Sequence, residues 1–311
     1  MPDTRTAPLT PGFVDAIRRA AIQLEHDGRS ATAVRLLKEL LNAGNSHLYP
    51  IEKARLWAAL GGMIWKQGDV AKARVLATDA VKLAEGCDSS EALSEALFAL
   101  GEVAYLEAAY MGRGELADAM VPHRRALDIR REAGDRRGES LSLSRIGVIH
   151  ERMDRHDEAQ ACYREALGIA EELDFPEGMS RPYVHIGVAK DQAGDVEGAL
   201  EDYQRSVAAV RRAHDVHALA FDLCNVAWAS YRLDGELDPA LALLDEALEL
   251  AEGMQTKLAE LRVHQVAGDV YAAAGRTDDA RREYEVAIVV GDAVGLARFT
   301  GFVRERLGVL D

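Results

Sequence analysis

Residues 57–81 read WAALGGMIWKQGDVAKARVLATDAV, and residues 264–288 read HQVAGDVYAAAGRTDDARREYEVAI. In both stretches apolar side chains recur three and four residues apart, stop at a glycine and then resume, the pattern of two short amphipathic helices with a break between them. Each stretch places a small residue in its first half, Gly61 or Gly268, and an alanine in its second, Ala73 or Ala280. The same columns run through the chain. The small residues are Ala21, Gly61, Gly101, Gly147, Gly187, Ala227 and Gly268, in steps of 40, 40, 46, 40, 40 and 41. The alanines are Ala33, Ala73, Ala119, Ala159, Ala199, Ala240 and Ala280. Between them fall the breakers Gly28, Gly68, Gly114, Asp154, Gly194, Gly235 and Gly275. Acidic residues follow several of these, at Asp69, Glu115, Asp195 and Glu236, and suit the positive end of a second helix. Small residues on facing helices let two antiparallel helices approach closely. One hairpin cannot bury its apolar face alone, so the expected fold is all-α, a stack of seven helix hairpins sharing a continuous core.

Composition agrees. Of 311 residues, 48% are hydrophobic and 6% aromatic, so the chain has material for a core but few of the aromatics that sheets favour. The 52 Asp and Glu exceed the 37 Lys and Arg to give a net charge of −15, which argues against a general binder of nucleic-acid phosphates. No apolar run is long enough to span a bilayer, so no membrane partner is expected. The opening MPDTRTAPLTPGF lacks an apolar signal core, and Cys87, Cys162 and Cys224 are scattered and odd in number; both point to a reducing, cytoplasmic location.

The two quoted stretches resemble the tetratricopeptide repeat (TPR) family. The resemblance covers about residues 13–290, and its departure is a period of about 40 residues where 34 is usual. In this it is similar to bacterial sensor and regulator TPR domains. No helix-turn-helix is read ahead of the first unit, so the DNA-binding part of such regulators is not expected. Residues 1–12, with three prolines, are expected to form a loose tail, residues 13–295 a seven-repeat TPR-like superhelix, and residues 296–311 a capping helix with one polar face. The third unit is irregular. Six extra residues fall within YLEAAYMGRGE, as a tolerated loop or a lip beside a groove, and Pro122 is expected to kink or restart the second helix.

The resemblance implies that the first helices line a concave surface where partners lie. Inward positions there include Trp65, Phe98, Glu102, Tyr105, Arg145, Glu151, Arg181, His185, Asp191, Cys224, Trp228, Tyr231 and Arg262. Aromatic platforms with a few convergent charges suit a peptide or partner-protein segment. Trp65 and Trp228 have an alternative role in sealing helix contacts. The family's basic clamp for a carboxyl terminus is not matched.

Other chemistry is weaker. His214 and His217 sit one turn apart without a third ligand, so no metal is expected. HRRALDIRREAGDRRGES, residues 123–140, interleaves arginines with acids and holds no aromatics, and reads as locally paired. No phosphate loop, nucleophile elbow or dinucleotide fingerprint occurs, so neither cofactor nor catalytic residue is assigned. The leading function is a non-catalytic binding module. The alternatives are an enzyme or small-molecule sensor in the same wall, and a homo-oligomer formed through an end of the array.

Overall fold

The computed structural model describes residues 9–44, 48–65, 69–254, 257–293, 295 and 297–310. Among them are fifteen α-helices and no strand. In chain order they run as seven pairs: α1 (Pro11–His26) and α2 (Ser30–Gly44), α3 (Pro50–Ile64) and α4 (Val70–Glu85), α5 (Ser90–Met111) and α6 (Leu116–Glu132), α7 (Arg136–Arg152) and α8 (His156–Glu172), α9 (Pro176–Gln192) and α10 (Val196–Ala213), α11 (Val216–Asp234) and α12 (Leu237–Gly253), α13 (Lys257–Ala273) and α14 (Thr277–Ala293). A last helix, α15 (Ala297–Gly308), follows. Two compact units result, Met1–Cys162 and Tyr163–Asp311, with the division inside α8. Most of the expected tail, and the breaker Gly68, lie outside the described residues.

The small-residue columns are the seams of the hairpins. All seven alanines from Ala33 to Ala280 are buried. In three of the hairpins the glycine opposite leaves room for a ring. A Cβ at Gly187 would stand 2.7 Å from the Tyr203 ring, and one at Gly268 would stand 2.4 Å from the Tyr284 ring. In the third hairpin, Gly101 receives His123 in the same way, at 2.6 Å. The ring follows the alanine by four residues, one helical turn, a column that the sequence reading did not single out. In the first unit the core adds Leu37, Leu56, Leu60 and Val103, with a second cluster rich in alanine on α4 and α5. In the second unit, Leu223, Leu244, Val263 and Val270 fill α11 to α13, and Val303 of α15 joins Tyr284 and Leu261.

Turns obey the breaker column wherever it is described. Gly28, Gly114, Gly194, Gly235 and Gly275 have positive φ, and so does Asp154, at 58°. At Gly275 the reversal closes with Arg276 N–H donating to the Tyr271 carbonyl at 2.9 Å, which ties the last turn of α13. Aspartates then start helices. Asp69, Asp135, Asp195 and Asp215 each accept a backbone N–H three residues on, at 2.9–3.1 Å.

The irregular third hairpin is resolved differently from the expected loop. Most of the added residues extend α5, at 22 residues the longest helix described, which ends on left-handed Gly112. Pro122 neither stops nor restarts α6, which is helical from Leu116 to Glu132 with Pro122 buried. Proline lacks the N–H for one ladder bond there, yet the helix runs through it.

Candidate functional site

Within each unit the first helices of successive hairpins lie against one another, α1 on α3 and α3 on α5, then α11 on α13. This layer carries most of the polar side chains that the sequence singles out.

In the first unit its centre is Arg55. The guanidinium donates to Glu91 at 2.8 Å and Glu95 at 3.0 Å, and stands 3.6 Å from Asp15. Arg18 joins Asp15 at 2.9 Å and Glu95 at 3.5 Å. Burial works to raise the Asp15 carboxyl, but the hydrogen bond from Arg18 and the charges of Arg18, Arg55 and Arg19 outweigh it and hold the group below the usual carboxylate range. One turn further along α5, Phe98 sits edge-on to His123, with ring centres 5.1 Å apart, and under the Arg130 guanidinium at 4.8 Å. Glu102 pairs with Arg145 and lies 3.5 Å from His123 Nε2, while Arg145 also stands 5.9 Å from the centre of the Tyr105 ring. Thus Phe98, Glu102, Tyr105 and Arg145 come together, but as a cluster whose charges answer one another. Tyr105 is only 4% exposed and presents no platform. Trp65 packs on the core of α1 to α4, and Glu151 is half-buried at the end of α7.

In the second unit, His185 stacks on Tyr163 at 4.8 Å, with the rings 12° from parallel, and Arg181 lies half-buried one turn before it on α9. Asp191 pairs with Arg232, whose guanidinium stands 5.7 Å from the centre of the Trp228 ring. Trp228 and Tyr231 are half-buried and rest on the α11–α13 core. Cys224 is fully buried and its Sγ donates to the Ala220 carbonyl, so the thiol does not line the face; burial pushes it up to about 12. On α13, Arg262 donates to Gln265 Oε1 at 3.2 Å and to Asn225 Oδ1 of α11 at 3.3 Å. Asp269 accepts from Tyr284 Oη at 2.7 Å and pairs with Arg306 of α15. Beneath this row lies Asp222, buried, accepting from Ser180 of α9 at 3.2 Å and from Ser206 of α10. Burial pushes its carboxyl up to about 7 despite those two hydroxyls.

The sequence reading missed Arg232, Asn225 and Asp222. A signal for the first two exists. Polar partners on this layer stand about one repeat apart: 40 residues for Arg55 and Glu95, 41 for Arg232 and Asp191, 37 for Arg262 and Asn225. A search for complementary polar residues one period apart would have found them. Within residues 123–140, Arg130 approaches Asp135 and Arg131 and Arg136 share Glu139 as expected, whereas Arg125 reaches Glu85, 40 residues away and outside the stretch. Among the described residues, no three His, Cys, Asp or Glu side chains are grouped so that they could hold a metal ion. No described helix is long and apolar enough to cross a membrane.

Residues 108–172 and 178–253 match the family model described as Tetratricopeptide repeat. Over these residues, just under half of the chain, the sequence is that of tetratricopeptide repeats. A curated TPR relative, Tetratricopeptide repeat protein 29 of Trypanosoma brucei brucei (strain 927/4 GUTat10.1), is 28% identical over 133 residues, which is 43% of this chain and 26% of that protein. The chain therefore aligns with about a quarter of that relative's length. Among solved structures, a Rap protein complexed with competence and sporulation factor superposes with a TM-score of 0.67 at 16% identity, covering 100% of this chain and 88% of the other. NprR in complex with its cognate peptide NprX gives 0.62 at 17% identity, covering 96% and 82%. The APC/C hetero-tetramer Cut9–Hcn1 gives 0.65 at 14% identity, covering 93% and 49%. At these identities the likeness is one of fold.

Proposed function

We propose that this chain is a non-catalytic binding module that holds a peptide or a partner-protein segment against its first-helix layer. The observation that carries the reading is the row on α11 and α13: half-buried Trp228 and Tyr231, the Arg232–Asp191 pair beside them, and Arg262 fixed between Asn225 and Gln265. Rigid aromatics flanked by oriented guanidiniums and amides are what a short extended segment needs, because such a surface loses little entropy when it is covered. The fold likeness is consistent with this, since the Rap and NprR structures are both complexes, with a factor and with a cognate peptide.

The test is selection from a displayed random-peptide library, followed by titration of the selected peptide. Trp228→Ala should weaken binding at least tenfold, with helicity checked by circular dichroism, while Val75→Ala, an exposed change on second helix α4, should leave it unaltered. Recovery of no peptide, together with saturable binding of a small metabolite, would reject the reading in favour of a sensor or an enzyme.

A further inference from the structure

Three helices of the second unit meet at one carboxyl. Asp222 of α11 is 4% exposed, and hydroxyls from two other helices are turned to its Oδ2: Ser180 of α9 donates at 3.2 Å, and Ser206 of α10, itself fully buried, donates across a shorter contact. Ser206 Oγ has two further acceptors in reach, the Ser180 carbonyl at 3.2 Å and Ser180 Oγ at 3.0 Å. A serine hydroxyl has one proton to give, so Ser206 faces three acceptors with a single donor. The protonation state of Asp222 decides which acceptor it serves.

Ionised, the carboxylate draws both hydroxyl protons onto one oxygen, and Ser206 has none left for α9. The charge is then buried and met, among the described residues, by hydroxyls alone, which is a costly arrangement. Protonated, the carboxyl O–H donates to Ser206 Oγ, which frees the Ser206 proton for the Ser180 carbonyl. A directed chain then runs from α11 through α10 to the backbone of α9, and no charge is buried. The charged groups that bear on the carboxyl are Arg181 of α9, which favours the ionised form, and Asp215 ahead of α11, which opposes it. The Cys224 thiol, two residues along α11, is neutral. Burial pushes the carboxyl up to about 7, so the two forms exchange close to neutral pH.

From this geometry we infer that a single proton on Asp222 acts as a clasp between the fifth hairpin and α11: mildly acid solution closes the α9–α10–α11 joint, and rising pH loosens it. The joint bears on the candidate face, because α9 carries Arg181 and His185 while α11 carries Trp228 and Tyr231. Its operation needs no ligand.

The experiment follows native hydrogen exchange of the full chain by mass spectrometry at about pH 5.5 and about pH 8.5, without denaturant and corrected for the intrinsic rate at each pH. Opening of α9 to α11 should be about ten- to thirtyfold more frequent at the higher pH, as linkage requires of a group that titrates near 3.8 when released and about 7 when clasped. Helices α13 and α14 of the same unit, and α3 and α4 of the first, should show no such rise. Asp222→Asn, whose amide N–H can donate to Ser206 at every pH, should abolish it. Ser206→Ala should open the joint at the lower pH as often as the parent opens at the higher, and it decides the matter if Asp222→Asn fails to fold by circular dichroism. A rise shared equally by α13 and α14 would overturn the clasp, because the proton would then govern global unfolding rather than one joint. So would a rise that survives Asp222→Asn, or Ser206→Ala exchanging like the parent at the lower pH.

Discussion

Asp222→Asn isolates a proton that the folded protein keeps and the unfolded chain gives up. The carboxyl is buried, with Ser180 of α9 and Ser206 of α10 against it, Arg181 of α9 near enough to favour its charge and Asp215 ahead of α11 near enough to oppose it. Unfolded, it titrates near 3.8; folded, burial pushes it up to about 7. Between these values the folded state holds more protons, so this group's contribution to stability is full below about pH 4, declines as pH rises, and is lost above about pH 7. At about 1.4 kcal/mol per pH unit the whole effect is about 4 kcal/mol. Asparagine does not titrate here and keeps an oxygen for the two serine hydroxyls. Relative to the parent, the variant should therefore gain about 4 kcal/mol on going from about pH 4 to about pH 8, with any fixed offset added at every pH. Urea unfolding of both proteins by circular dichroism at several pH values measures the difference, and hydrogen exchange in α9 to α11 locates it. An offset constant to within about 1 kcal/mol across that range would refute the argument, because Asp222 would then be ionised in the folded protein as well.

Gly268→Ala drives a methyl to 2.4 Å from the Tyr284 ring, which is itself tethered to Asp269, so thermal unfolding should show a loss of about 1–3 kcal/mol. Gly253→Ala, with open space around it, is the control and should be neutral or slightly stabilising. Arg55→Ala removes the hub of a network at the surface of the first unit and should cost about 1 kcal/mol at low salt and less in about 1 M salt; a loss indifferent to salt would mean packing rather than charge. A thiol reagent should label Cys87 and Cys162 in the native protein and reach Cys224 only after unfolding, because Cys224 is fully buried and its thiol is pushed up to about 12. Rapid native labelling at Cys224 would contradict the packing of α11.

Much of the architecture was legible because it repeats. A small residue at one column and an alanine at another are constraints of backbone approach, and Gly187 opposite Tyr203 shows the constraint acting. The left-handed turns were readable for a similar reason, with Asp154 standing where six other units place glycine. The third hairpin was read less well. Whether the inserted residues of YLEAAYMGRGE extend a helix or bulge outward depends on the neighbours that bury them, and local pattern does not reveal those neighbours. The same limit applies to the candidate face. A helical wheel gives direction but not depth, so Tyr105 and Cys224 were each expected on the open face of its own first helix although the structure buries both. Arg232 and Asn225 escaped notice because their roles depend on residues a full repeat away.

The ring-in-notch contact has a consequence for how such chains change over time. Gly187 with Tyr203, and Gly268 with Tyr284, each belong to a single hairpin, so a duplicated hairpin would carry both halves of its own fit to a new position. The helices can therefore be copied or exchanged as matched pairs with their seams intact, whereas swapping one helix alone would set a ring against a mismatched groove. Ancestral shuffling of this polypeptide, and any laboratory recombination of it, should find viable crossover points at the turns between pairs and few within them.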